Sequence, residues 1–103
     1  MWMTPLDVAG FLTQLVTHVA DRMEIPDFEL KSATELMAEI GEKDVKVADA
    51  LLDFSLAYEE WYAVHRRMEQ AGRSEKRQQI LAERIRNRDA ARATLKKALE
   101  KYS

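Results

Sequence analysis

Between residues 42 and 103 the chain contains no proline and a single glycine, Gly72. Glycine and proline are the residues a helix interior tolerates least. Their absence on either side of Gly72 predicts two long helices, at about 44–71 and about 74–102. Each is about 28 residues, roughly 42 Å at 1.5 Å per residue. Two such helices joined by Gly72 and Arg73 read as an antiparallel helical hairpin.

The hairpin has an internal test. The first long helix carries a four–three apolar seam: Val47, Leu51, Phe54, Tyr58, Trp61, His65 and Met68. The second carries Leu81, Ile85, Arg88, Arg92, Leu95, Leu99 and Tyr102. If the chain reverses at residue 73, Val47 meets Leu99, Leu51 meets Leu95, Trp61 meets Ile85 and His65 meets Leu81. The same register sets Phe54 beside Arg92 and Tyr58 beside Arg88, whose stems and guanidinium faces suit aromatic rings. Two seams meeting in one register support the reversal.

Upstream, Thr4, Pro5 and Asp7 form a helix start, with Thr4 as N-cap. Val8, Leu12, Leu15, Val19 and Met23 make one apolar stripe, and Pro26 ends this helix near residue 24. Phe28 and Leu30 are expected to anchor the connector. Ser32 and Glu35 read as a capping box for a second short helix, about 33–40, with Gly41 as its stop. The expected fold is therefore all-α, one domain of 103 residues. An acidic helix pair (1–42) packs on the base of a helical hairpin (43–103). Leu52, Leu56, Ala57 and Val64 widen the apolar face of the first long helix beyond its seam, so it needs a further partner. A dimer is expected, since uncovered Trp61, Tyr62 and Val64 would form an apolar patch.

Charge is unevenly divided. Residues 1–60 carry four Lys/Arg against thirteen Asp/Glu, a net −9, and residues 61–103 carry twelve against five, a net +7. If the hairpin forms, acids and bases face each other along its base. At matching heights lie Asp49 with Lys97, Asp53 with Arg92 and Glu69 with Arg77. Height is not azimuth, so this reads as a complementary field rather than a set of good ion pairs. Exposed pairs contribute only about 0–1 kcal/mol each. Residues 61–88 keep an excess of eight basic over three acidic side chains, seven of the eight being arginine. The arginine fork recognises carboxylates and phosphates two oxygens at a time.

No chemistry of catalysis is legible. There is no cysteine, which excludes disulfides and thiolate sites and is compatible with the cytoplasm. No glycine-rich phosphate loop, dinucleotide fingerprint or paired histidine motif occurs. His18 reads as a helix-surface residue and His65 as a seam residue. No metal site, cofactor or small-molecule substrate is expected, nor a signal peptide or membrane span. The expected function is a small cytoplasmic protein–protein interaction module, an adaptor, assembly factor or regulator, working as a homodimer and not an enzyme. Its expected partner-binding residues are Tyr62, Arg66, Arg67, Arg73, Arg77 and Arg84. The acidic region 1–42 of another copy is one surface this patch fits. The alternative is a nucleic-acid-associated regulator gripping phosphates with the same arginines, against which the pI of about 5.7 weighs.

Overall fold

The computed structural model describes residues 5–102; the expected N-cap, Thr4, lies outside them. Four α-helices make up the described chain: α1 (Pro5–Arg22), α2 (Ala33–Lys43), α3 (Val45–Ala71) and α4 (Glu75–Ala98). Short 3₁₀ turns follow at Phe28–Leu30 and Glu100–Tyr102, and no strand occurs among the described residues. Of all helix pairs, α3 and α4 pack most closely. The Tyr102 hydroxyl donates to Asp44 Oδ2 at 2.9 Å, Arg88 lies over Trp61, and Arg77 meets the carbonyls of Ala71 and Gly72. The molecule measures 48 × 25 × 19 Å, and its radius of gyration is 15.3 Å. About 13 Å is usual for a compact domain of this length, so the shape is elongated.

The helix boundaries follow from local chemistry, with three differences from expectation. First, α1 ends at Arg22, before Pro26 acts. Its stop is a Schellman turn: Ile25 N–H donates to the Ala20 carbonyl at 3.1 Å and Glu24 N–H to Asp21 at 3.0 Å. Glu24 occupies the left-handed position at φ 55°, where glycine is the usual choice. Second, α2 does not stop at Gly41 but continues to Lys43. A Cβ at Gly41 would stand 3.9 Å from Ala48 Cβ, so this glycine lies where α2 approaches α3. The real boundary is Asp44. Its N–H closes α2 on the Ile40 carbonyl at 2.8 Å, and its Oδ1 accepts from Lys46 N and Val47 N at the start of α3. Third, α4 gives way to a 3₁₀ turn before Tyr102, and that tighter turn carries the Tyr102 hydroxyl to Asp44.

The other caps are as the sequence suggests. Ser32 Oγ accepts from Glu35 N at 3.2 Å, Ser74 Oγ accepts from Arg77 N at 3.2 Å, and Gly72 ends α3 at φ 82°. Each such cap stabilises a helix end by about 1 kcal/mol.

One apolar core draws on all four helices. Val8, Val16, Val19 and Ala20 enter from α1, Met23 and Ile25 from the turn after it, Leu36 and Ile40 from α2, Val47, Leu51, Phe54 and Tyr58 from α3, and Leu95 from α4. Of the expected stripe, Val8, Val19 and Met23 are buried and Leu12 and Leu15 half-buried, while Val16 and Ala20 widen the buried face. Phe11, beside the stripe, stacks on Tyr58, with ring centroids 4.6 Å apart and planes 12° apart. Phe28 packs against the core, but Leu30 is 86% exposed. Asp27, left-handed at φ 53°, opens the 3₁₀ turn that carries Leu30 outward.

Candidate interaction surface at the α3–α4 tip

Along α3 the last buried side chain is Tyr58, and along α4 the only buried one is Leu95. From there to the turn at Gly72 no side chain of either helix is buried. The apolar pattern does not stop with the core: Trp61, Val64, Met68, Ile80, Leu81 and Ile85 continue toward the turn, all half-buried. Two open grooves result. One, of about 580 Å³, is lined by Val64, Met68, Ala71 and Ile80 with Arg67, Lys76 and Arg77 at its border. The other, of about 440 Å³, is lined by His65, Met68, Glu69, Arg73 and Leu81.

The six residues singled out in the sequence separate here. Arg67 and Arg77 share the first groove, and Arg73 belongs to the second. Arg66 is exposed outside both linings. Arg77 has a structural task as well: its Nη1 donates to the carbonyls of Ala71 at 3.0 Å and Gly72 at 3.2 Å. Those carbonyls belong to the end of α3, where a cation is favoured by the helix dipole. Arg84 is half-buried and its Nη1 donates to the neighbouring Glu83 at 3.0 Å. Tyr62, read from the sequence as an exposed contact aromatic, is half-buried and packs against the core. The guanidiniums that face outward at the tip are therefore chiefly those of Arg66, Arg67 and Arg73.

A file of rings joins the tip to the core. Phe54, Tyr58, Trp61 and His65 follow one another along α3 with centroids 6.0, 5.3 and 5.3 Å apart. The Arg88 guanidinium lies 4.7 Å from the Trp61 centroid, an attraction of about 0.5–2 kcal/mol depending on desolvation. The seam register set Arg88 beside Tyr58; its guanidinium instead covers the next ring along. Burial pushes the Tyr58 hydroxyl's pKa up, partly offset by the charges of Arg88 and Arg92. His65 Nε2 stands 3.3 Å from Glu69 Oε1. Glu69 thus turns to His65, while Arg77, its expected partner by height, turns to backbone.

At the opposite end Asp44 is the electrostatic centre. Lys101 and then Tyr102 hydrogen-bond its carboxylate and hold its pKa near 2, against an ordinary 3.8. The same contacts push Lys101 and Tyr102 above their usual values. Lys43 Nζ donates to the Met23 carbonyl at 2.9 Å and Lys31 Nζ to Glu39 Oε1 at 2.6 Å. Several of the few cations in the acidic half thus serve its own architecture.

Among the described residues no group of three or more His, Asp or Glu is placed to hold a metal ion. No described helix is long and apolar enough to cross a membrane.

One surface escaped the sequence reading. Phe11, Leu15, His18 and Arg22 recur at four, three and four residues, the same period as a seam, and they form one wall of a groove against α4. That period was present in the sequence beside the stripe chosen as core.

Comparisons of the chain with protein-family models, with curated proteins and with solved structures give no match.

Proposed function

We propose that this chain is a non-enzymatic protein–protein interaction module, an adaptor, assembly factor or regulator, that engages an acidic partner surface through the tip of an α3–α4 hairpin. One observation carries the reading: the apolar pattern runs past the end of the core and stays half-exposed, bordered by outward arginines. A helix pair that buried its seam fully would need no such continuation. An apolar strip with an arginine rim has the composition of an interaction surface.

The first partner to consider is a second copy. Residues 1–42 hold two Lys/Arg against eight Asp/Glu. A two-fold dimer with each tip on the other's acidic base satisfies both contacts at once. Like-charged tips meeting each other would instead repel. We place the module in the cytoplasm, where a cysteine-free chain needs no oxidising compartment.

Light scattering behind a sizing column tests this. Dimers of the 11.9 kDa chain are expected at low salt, with Arg66→Glu/Arg67→Glu shifting the mass to the monomer. A monomer at high concentration removes the homodimer and leaves a different acidic protein as the partner. The outward arginines also favour a second reading, phosphate binding on nucleic acid. Titration with DNA and RNA at two salt concentrations decides it: binding that weakens steeply with salt and is lost in the same double variant replaces the protein reading.

A further inference from the structure

At the base, α1 and α4 leave between them a groove of about 430 Å³. Its floor is apolar, from Phe11 and Leu15 of α1, Phe54 of α3, and Leu95 and Leu99 near the end of α4. Phe54 and Leu95 are almost completely buried and Phe11 is stacked on Tyr58, so the floor is fixed before anything binds. A preformed floor avoids the ordering cost of binding.

The walls carry three cations, Arg22, Arg92 and Lys96. His18 and Arg22 line one side and Arg92 and Lys96 the other, with Glu100 as the sole carboxylate of the lining. Arg92 and Lys96 stand four residues apart on α4, one helical turn or about 6 Å along the axis, and Arg22 is the cation of the α1 wall. Arg22 Nε donates to His18 Nε2 at 3.2 Å, which holds the guanidinium along its wall. Two of the wall cations, Arg92 and Lys96, come from the basic half of the chain, but Arg22 is one of only four Lys/Arg in residues 1–60.

This arrangement selects among ligands. An amphiphile with a single acidic head satisfies one cation and leaves the opposite wall unmatched. A helix lying along the groove places apolar residues on the floor at three- and four-residue spacing. Acidic residues four apart on one flank meet Arg92 and Lys96, and an acidic residue on the other flank meets Arg22. We infer that the α1–α4 groove docks an amphipathic helix of a partner protein whose apolar strip is flanked on both sides by Asp or Glu. The groove is distinct from the tip and does not depend on the tip's function.

Fluorescence anisotropy on the full chain tests the inference. The probe is a labelled helical peptide of about sixteen residues, with Leu at i, i+3, i+4 and i+7 and Glu on both flanks. A control peptide carries Lys at every Glu position. The acidic peptide is expected to bind at least about tenfold more tightly than the control. Arg22→Glu/Lys96→Glu is expected to weaken it by about tenfold or more. Both side chains are exposed, and an unchanged far-ultraviolet circular dichroism spectrum shows that the variant still folds. Lys46→Glu, an exposed cation outside both the groove and the tip, leaves the affinity as it is. The inference fails if the two peptides bind alike, if the groove variant binds as the parent does, or if dodecanoate fills the groove while the acidic peptide does not bind.

Discussion

The two ends of the α3–α4 pair are built from the same helices and the same apolar period, yet they pack differently. At the base, Val47, Leu51 and Phe54 are at most 2% exposed, in a core that also takes residues from α1 and α2. At the tip, Met68, Ile80, Leu81 and Ile85 continue the pattern and remain half-buried. Two helices alone present a seam to each other but leave its flanks in water; a third and fourth are needed to close it. A four–three pattern therefore specifies which face is apolar, not how deeply it is buried.

The sharpest way to break this contrast is to remove one leucine from each end. Leu51→Ala at the base is expected to cost about 3–4 kcal/mol, the range for a fully buried leucine, read as the shift in urea-unfolding free energy. Next in size is the loss at Asp44→Asn, which unties the end of α4 from the start of α3. Its signature is pH. Asp44 has a lowered pKa, near 2 rather than 3.8, so its contribution is full above about pH 4 and fades as pH falls toward 2. Lys101 and Tyr102 have raised values, so their contributions hold below about pH 10 and fade above it. Unfolding curves from pH 2 to 6 should show a flattened acid limb in the Asn variant; a limb as steep as the parent's would refute the assignment.

A smaller effect is expected at the tip. Leu81→Ala should cost about 1 kcal/mol, because half of its surface burial is absent from the start. A loss equal to that of Leu51→Ala would mean the tip is covered, as in a tightly packed dimer. Amide hydrogen exchange gives a residue-level version of the same comparison: protection should fall along α3 beyond Tyr58 and along α4 before Leu95. The smallest expected change is a gain. Glu24→Gly places glycine at φ 55° and should stabilise the end of α1 by about 0.5–1 kcal/mol, visible as a rise in Tm.

These contrasts also mark what a reader of the sequence could see. Ser32, Gly72 and Ser74 were legible because capping is settled within a few residues. The seam of α3 was legible for the same reason, since a helix period is local, whereas on α4 Arg92 of the expected seam is exposed. Gly41 misled because α2 runs through it to Lys43 and is closed by Asp44, whose N–H meets the Ile40 carbonyl. Leu30 misled because two left-handed residues, Glu24 and Asp27, set the path of the connector, and nothing in their identity requires that conformation. Phe11 was missed because it lies beside the stripe and its stacking partner, Tyr58, belongs to another helix. At the candidate site, sequence alone located the arginines, but not that Arg77 would bond the end of α3 or that Arg84 would turn to Glu83. Side-chain commitments of that kind depend on which neighbour arrives first, and many neighbours lie within reach of a long arginine.

The file of rings from Phe54 to His65 gives the molecule an optical property. Aromatic chromophores held 5–6 Å apart at fixed angles couple their transitions and rotate near-ultraviolet light, and Tyr58 passes excitation to Trp61. With Trp2 replaced by Phe, Trp61 is the sole indole emitter, and it stands where the closed core gives way to the open pair. Backbone dichroism averages over every helix, whereas the emission of Trp61, excited selectively, comes from that boundary alone. If the tip frays before the base melts, the two signals will part company on heating, and the order of events can be read without attaching a label to the chain.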